Sequence, residues 1–123
     1  MPEPRHVLGK AGEEAAVHYL GQHGYQILER NYRCRFGEID LIARDGKTLA
    51  FVEVKTRRSL KYGPAAAAVT VQKQRHLIKA SQLYLIHRKK VNEFCRFDVV
   101  TIELEAQEAR IALIKDAFQS TSD

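Results

Sequence analysis

The feature that most limits how this chain can fold is a pair of strand-like runs within residues 37–57, GEIDLIARDGKTLAFVEVKTR. Residues 38–44 and 48–56 are rich in aliphatic and β-branched side chains, which favour extended structure. Asp45-Gly46 lies between them and is a favourable signal for a tight turn. The sequence therefore predicts a β-hairpin.

Helical patterns lie on both sides of this hairpin. Apolar residues recur at helical spacing from Leu8 to about His23, where His23-Gly24 supplies a stop. A second long helix is predicted from a cap at Thr70 to about Arg88. Further strands are predicted at residues 25–31, 94–104 and 110–115. This order of helices and strands predicts a single α/β domain with a mixed central sheet flanked by helices.

The length and composition indicate one soluble domain. A chain of 123 residues suits one core, which we place in residues 1–118, and residues 119–123 are predicted to fray. No window approaches the roughly 20 apolar residues that cross a bilayer, so no membrane association is expected. No secretory signal is visible, and Cys34 and Cys95 form neither a zinc motif nor a disulfide framework. A cytoplasmic location is the simplest expectation.

Three acids and a lysine lie within the predicted hairpin. Because side chains alternate along a strand, Glu38 and Asp40 share one face of the first strand, and Glu53 and Lys55 share one face of the second. A loop of two or four residues puts Asp40 and Glu53 on the same face, with Cβ atoms roughly 5–8 Å apart. A regular three-residue loop separates them.

The strand that carries Glu53 has the composition of a strand covered on both sides. Leu49 and Phe51 share the face of Glu53, and the opposite face carries Ala50, Val52 and Val54. Charges in such a strand need a purpose, which favours a functional site over the alternative of a solvated Glu-x-Lys face. Glu38 begins its strand, where ligation and an exposed or supporting role are equally consistent with its position.

The proposed chemistry follows from the oxygen ligands. Two carboxylates at this distance repel unless a cation or proton lies between them, and Mg²⁺ or Mn²⁺ suits such ligands together with a substrate phosphate. Asp40 and Glu53 are the candidate ligands, and Lys55 is placed to orient water or to neutralise charge that develops on the phosphate. A helical wheel puts Glu13 at the edge of the packed face of the first helix. Glu13 is therefore either a third acid of the site or a boundary residue.

Four segments in this order resemble the bacterial YraN-type family. They are GxxGE (residues 9–13), GEIDLIA (37–43), FVEVKTR (51–57) and RFDVV (96–100). That family is predicted to share the PD-(D/E)xK restriction-endonuclease-like fold of the archaeal Holliday-junction resolvases. The resemblance extends from residue 9 to about residue 118, and its specificity comes from the combination of segments.

The resemblance implies a role for each candidate residue of the site. Asp40 and Glu53 match the metal ligands, Lys55 matches the catalytic lysine, and Glu13 matches the helix acid of resolvase-like members. Ile39 precedes Asp40 where the name of the superfamily has proline, a position that varies widely. For Asp98, in the RFDVV segment, an ion pair with Arg96 or a helix partner is expected, and not a metal.

The charge of the chain favours a nucleic-acid partner. The net charge of +5 and the isoelectric point near 9.4 favour an anionic partner, for which DNA is the candidate. Basic residues near the predicted site are expected to contact phosphates. They are Arg33, Arg35, Arg57, Arg58, Lys61, Lys73 and Arg75. Each one alone is most simply a surface charge, whereas clusters on both sides of an acidic pocket favour a surface that binds the DNA backbone.

The sequence thus predicts a metal-dependent endonuclease that hydrolyses phosphodiester bonds in DNA, with branched DNA among its candidate substrates. One alternative is a module of the same fold that binds nucleic acid or a protein without cutting. Another is a structural cation site formed by the acids. A homodimer is a further expectation, because cutting both strands of a duplex requires two sites.

Overall fold

The computed structural model describes residues 4–57, 69–105 and 108–120. Its elements are α1 (Pro4–Gln22), β1 (Gln26–Cys34), β2 (Gly37–Asp45), β3 (Thr48–Arg57), α2 (Val71–His87), β4 (Phe94–Glu105) and β5 (Glu108–Phe118). The described strands form a five-stranded sheet in the order β1-β2-β3-β4-β5. Only the pairing of β3 with β4 is parallel. This confirms a single α/β domain with a mixed sheet and two helices.

The two helices pack on opposite faces of this sheet. Residues of α1, including Ala16 and Leu20, join a core cluster with Leu41, Ala50 and Val52. Residues of α2, including Leu77 and Tyr84, join a second cluster with Ile42, Leu49 and Phe51. Adjacent residues of β3 therefore belong to different clusters, and the strand is buried on both faces, as its composition predicts. Among the described residues, no helix is long and apolar enough to span a membrane.

The hairpin of β2 and β3 has a two-residue loop. Asp45 pairs with Thr48, which leaves Gly46 and Lys47 at the tip, one residue later than the predicted Asp45-Gly46 turn. Gly46 has a φ of 61°, which glycine adopts at little cost. A two-residue loop gives the register that brings Asp40 and Glu53 to the same side.

Three elements extend clearly beyond their predicted ranges, and α1 is one of them because it begins at Pro4 and not at Leu8. β1 extends through the predicted basic loop to Cys34, because Cys34 pairs with Gly37 and Gly37 supplies a φ of 124°. β5 is also longer than residues 110–115, since it pairs along most of β4. The start of α2 agrees with the sequence, because the Thr70 side chain accepts a hydrogen bond from the N–H of Lys73.

Gly12 allows α1 to lie close to β3. A Cβ at this position would overlap the Oγ1 atom of Thr56, whereas a Cβ at Gly21 of the same helix would meet no atom within 4 Å. We therefore expect Gly12→Ala to be less stable than the matched variant Gly21→Ala by about 2 kcal/mol, because overpacking costs more than the helix propensity of alanine restores. Urea unfolding followed by circular dichroism measures this difference.

Thr56→Ala provides the control for this prediction. It removes the atom that the new methyl group would meet, so adding it to Gly12→Ala should recover most of the lost free energy of unfolding. Equal stability of the Gly12→Ala and Gly21→Ala variants would show that α1 does not need this close approach.

Candidate metal centre

The sheet opens between β2 and β3 next to Asp40. Regular pairing of these strands ends at Leu41 and Val52, although β2 stays paired with β1, and β3 stays paired with β4. At the opening, the N–H of Val54 donates a hydrogen bond to Oδ2 of Asp40 at 2.8 Å. The Asp40 carboxylate thus takes the place of a backbone partner and is held toward β3.

A cavity of about 360 Å³ lies at this opening. Its lining includes the four residues that the sequence selects for the site: Glu13, Asp40, Glu53 and Lys55. Glu13 comes from α1, Asp40 from β2, and the other two from β3. The fold therefore brings the predicted residues together from three elements, with Glu53 buried and Lys55 exposed.

Glu53 has one carboxylate oxygen near a cation and one without a partner. Its Oε1 atom lies 3.6 Å from Nζ of Lys73, at the start of α2. Its Oε2 atom is buried and has no hydrogen-bond partner within the described residues. Buried polar atoms in proteins are almost always paired. A divalent cation with oxygen ligands fits this unpaired atom and the neighbouring Asp40 carboxylate.

Burial makes both carboxylates resist ionisation. It raises the pKa of Asp40 to about 6, with further increases from the charges of Glu13 and Glu38 and an opposing effect of the Val54 N–H. Burial also raises the pKa of Glu53 to about 7, and the Asp40 charge adds to it against the effects of Lys73 and Lys55. The two groups therefore compete for a proton or a cation that lies between them.

Asn31 connects Glu13 to Glu38 beside the cavity. Its Nδ2 atom donates hydrogen bonds to Oε1 of Glu13 at 2.8 Å and to Oε1 of Glu38 at 2.7 Å. Among the described residues, no three acidic, histidine or cysteine side chains form a ready group for a metal ion. Glu13 would therefore have to move closer to Asp40 and Glu53 to join them as a ligand. Glu38 does not line this cavity, which favours a supporting role over ligation.

Sequence reasoning did not select Asn31. Its φ of 54° is in the left-handed region, which residues other than glycine rarely adopt and which often marks functional sites. The available signal was the residue type, since asparagine tolerates this conformation better than most residues.

The predicted phosphate-binding residues lie in different environments. Arg33 and Arg35 are exposed around the β1–β2 turn, and Lys73 and Arg75 lie in the first turns of α2. Lys73 is partly exposed and reaches the cavity through Glu53. Arg58 and Lys61 lie outside the described residues.

Arg57 differs from its predicted role as a surface phosphate contact. Its side chain is 8% exposed, and its Nη2 atom lies 2.6 Å from Oε1 of Glu103 on β4, which is 10% exposed. A buried arginine bound to a carboxylate holds strands together and is not available to DNA. The basic residues around Arg57 in the sequence did not reveal this, because its partner Glu103 is far away in sequence and becomes a neighbour only when β3 pairs with β4.

The raised pKa values predict how pH affects the metal-free protein. Because the folded state binds more protons than the unfolded state between about pH 4 and pH 7, this pair makes the protein less stable as pH rises through that window. Relative to the variant Asp40→Asn/Glu53→Gln, the wild type should lose about 4–5 kcal/mol of unfolding free energy over the window, because one unit of raised pKa corresponds to about 1.36 kcal/mol. Urea unfolding with EDTA at both ends of the window measures it.

The matched variant removes the contribution of all other titrating groups from this comparison. Adding Mn²⁺ at the alkaline end should stabilise the wild type and leave the variant unchanged, because only the folded wild type brings two ionised carboxylates together at the candidate site. A constant stability difference across the pH range would contradict the prediction.

A family model and the sequences of similar proteins point to the same protein family. The model of a family described as "Uncharacterised protein family UPF0102" matches residues 12–102. A UPF0102 protein of Syntrophus aciditrophicus is 55% identical over 111 residues, which cover 90% of this chain and 87% of the relative. Another, from Geobacter metallireducens, is 52% identical over 112 residues, with 91% and 92% covered. A third, from Caldicellulosiruptor saccharolyticus, is 49% identical over 113 residues, with 90% and 96% covered.

Proposed function

The chain belongs to the UPF0102 family, in agreement with its YraN-type resemblance, and we propose that it is a Mg²⁺- or Mn²⁺-dependent endonuclease that cuts DNA. The observation that carries the proposal is the arrangement in one cavity of Asp40, Glu53 and Lys55, with a buried Glu53 oxygen that has no partner within the described residues. Carboxylates that share a cavity with a lysine are the groups that phosphodiester hydrolysis uses.

The cation would be held by the carboxylates of Asp40 and Glu53. The N–H of Val54 fixes Oδ2 of Asp40, and Glu53 lines the same cavity with its Oε2 atom buried and without a hydrogen-bond partner among the described residues. When bound, the cation supplies positive charge beside the scissile phosphate and makes water more acidic. Glu13 lines the same cavity and could assist after moving toward Asp40 and Glu53.

The roles of the other side chains follow from their positions. Lys55 lines the cavity and is exposed, so its ammonium group can orient the attacking water or neutralise charge developing on the phosphate. Lys73 lies 3.6 Å from Glu53 and holds a positive charge at the edge of the same site. Arg33, Arg35 and Arg75 are exposed and supply further positive charge for the DNA backbone.

The architecture supports a restriction-endonuclease-like fold for the proposal. A mixed sheet carries its acids where two antiparallel strands separate, and a helix packed on the sheet provides a further acid. The homodimer and the cytoplasmic location stay predictions. Sedimentation of the purified protein with and without duplex DNA measures the first of them.

A cleavage assay with matched lysine variants tests the proposed function. Labelled single-stranded, linear duplex and four-way-junction DNA are incubated with wild type, Lys55→Ala and Lys47→Ala, with Mn²⁺ or with EDTA. Lys47 is the control because it lies at the tip of the same hairpin and outside the cavity. We expect cutting that needs Mn²⁺, persists in Lys47→Ala and falls by roughly a hundredfold in Lys55→Ala.

Two outcomes separate the endonuclease from its alternatives. If wild type and Lys55→Ala bind DNA equally and neither cuts any substrate, the protein is a binding module and the endonuclease proposal fails. If DNA is neither bound nor cut while Mn²⁺ still stabilises the fold, the acids form a structural cation site.

A further inference from the structure

A second cavity adjoins the candidate metal centre. It has a volume of about 470 Å³ and lies between α1 and the β1–β2 hairpin. Gly9 and Glu13 line both cavities, so the two spaces share a wall. Its size is within the range of cavities that bind small organic ligands. The position beside the metal centre makes it a candidate subsite for part of the same substrate.

Gly9 has no side chain at the wall that the two cavities share. A Cβ at this position would meet no atom within 4 Å, so a side chain here would extend into free space and not into the core. Glycine inside a helix costs roughly 1 kcal/mol relative to alanine, and therefore suggests a packing or functional reason. Close packing does not explain Gly9, in contrast to Gly12, whereas an open passage along the shared wall does.

Cationic side chains line the second cavity from two sides. Lys10 comes from α1 and is exposed, and Arg33 comes from β1 with 80% of its side chain exposed. The nearest ionic contact of Arg33 among the described carboxylates is a long one, 3.7 Å, to Glu38. Arginine and lysine at the two walls of a cleft are suited to bind a phosphate between them.

The acidic side chains of this cavity already have hydrogen-bond or ion-pair partners, and the ion pair at the surface is a weak one. Glu14 binds Arg30 on the surface, where both side chains are largely exposed. Exposed ion pairs contribute only about 0–1 kcal/mol, so an arriving phosphate can replace a carboxylate at little cost. Asn31 donates to both Glu13 and Glu38, which lessens the repulsion that these acids exert on an anion.

We propose that this second cavity binds the nucleotide adjacent to the scissile phosphate. The DNA strand runs from the metal centre past Gly9, and Lys10 and Arg33 hold its next phosphate. This inference rests on the proposed function, because it assigns the second cavity to the same substrate. It adds a specific path for the strand and the residues that fix it.

Two glycine variants in the same helix test the path. Gly9→Leu places a large side chain at the wall that the two cavities share. Gly21→Leu makes the same change on α1 at a position that also has open space around it but lines neither cavity. Binding of labelled single-stranded DNA is measured by fluorescence anisotropy with Ca²⁺ in place of Mn²⁺. We expect Gly9→Leu to bind roughly tenfold more weakly and Gly21→Leu to bind like wild type, with both folds checked by circular dichroism.

A charge variant tests the phosphate contact independently of the helix. Lys10→Ala/Arg33→Ala should reduce the dependence of log affinity on log salt concentration by about 1, because the two side chains hold one phosphate and each lost phosphate contact lowers that slope by about 1. Lys47→Ala, at the far tip of the β2–β3 hairpin, should leave the slope as in wild type. A structural role of Lys10 and Arg33 would not change this slope.

The results distinguish this inference from the proposed function. If wild type cuts DNA in a Lys55-dependent way, and Gly9→Leu and the double variant bind and cut as well as wild type, the subsite is wrong and the endonuclease stands. If nothing is cut but Gly9→Leu and the double variant lose DNA binding, the subsite stands and hydrolysis is wrong. Absence of DNA binding by the wild type overturns both.

Discussion

Asp40→Asn is expected to lower metal-dependent DNA cleavage by about a thousandfold or more. Such a loss corresponds to roughly 4 kcal/mol of transition-state stabilisation, the amount that a misplaced or missing cation removes. The amide can still accept the hydrogen bond from the Val54 N–H, so the opening between β2 and β3 should persist. Initial rates at saturating Mn²⁺, together with calorimetric titration of Mn²⁺, measure the two effects.

The same variant should be more stable than the wild type at alkaline pH without metal. Asp40 has a pKa raised by burial and by neighbouring acids, so removing its charge relieves repulsion that the folded protein otherwise bears. Loss of activity combined with a gain of stability identifies a residue kept for function and not for folding. A variant that is both inactive and less stable would indicate a structural role for Asp40.

Glu38→Gln is the matched control for this prediction. Glu38 lies on the same strand and the same side of the predicted hairpin, but it binds Asn31 and does not line the cavity of the candidate metal centre. We expect its cleavage rate to stay within about fivefold of wild type, because no ligand is lost. A loss as large as that of Asp40→Asn would make Glu38 a ligand and would require a different metal position.

The parts of the site that depend on local order were predictable from the sequence. Alternation along β3 put Glu53 and Lys55 on one face, and the sequence placed a turn near Gly46 but left its length open. The two-residue loop of the structure decides that Asp40 lies on the same side as Glu53. Burial of β3 on both faces followed from its composition, because a strand without a polar face must be covered twice.

The opening of the sheet at Asp40 was not predictable. At this point β2 stays paired with β1, and β3 stays paired with β4, so the two strands separate from each other. The Asp40 carboxylate then accepts the hydrogen bond of the Val54 N–H in place of a backbone carbonyl. Which neighbour each strand pairs with depends on tertiary contacts, and the alternation of side chains along a strand does not reveal it. The extended β5 has the same cause, because its length is set by pairing with β4.

Charged residues show where the sequence is ambiguous. Arg57 and Arg33 occur in similarly basic surroundings, but one is buried against Glu103 and the other is exposed. The difference arises from position relative to the sheet, since Arg57 lies on a central strand and Arg33 on an edge strand. Residue type alone therefore indicates that an arginine needs an anion, but not whether that anion is a carboxylate or a phosphate.

Asp98 belongs to a different polar cluster, which reaches Asp45 at the end of β2 and does not line the cavity of the candidate metal centre. The Tyr25 hydroxyl donates to it at 2.7 Å, the Nε atom of Arg96 at 2.8 Å, and the backbone N–H of Asp116 at 3.0 Å. The ion pair with Arg96 that the sequence predicts is confirmed. Arg96 in turn binds Asp45 at 2.7 Å, so the cluster joins the β2–β3 hairpin to β4.

Of the single substitutions, Asp98→Ala is expected to have the largest effect on stability, because it removes a fully buried carboxylate and leaves the donors of Tyr25, Arg96 and Asp116 facing a void. Breaking a buried ion pair in this way costs about 3–5 kcal/mol. Asp45→Ala is the matched control: it also removes a partner of Arg96, but from a site where water can replace the carboxylate, so about 1 kcal/mol is expected. Urea unfolding at neutral pH measures both, and equal losses would mean that the buried position of Asp98 adds nothing to its contribution.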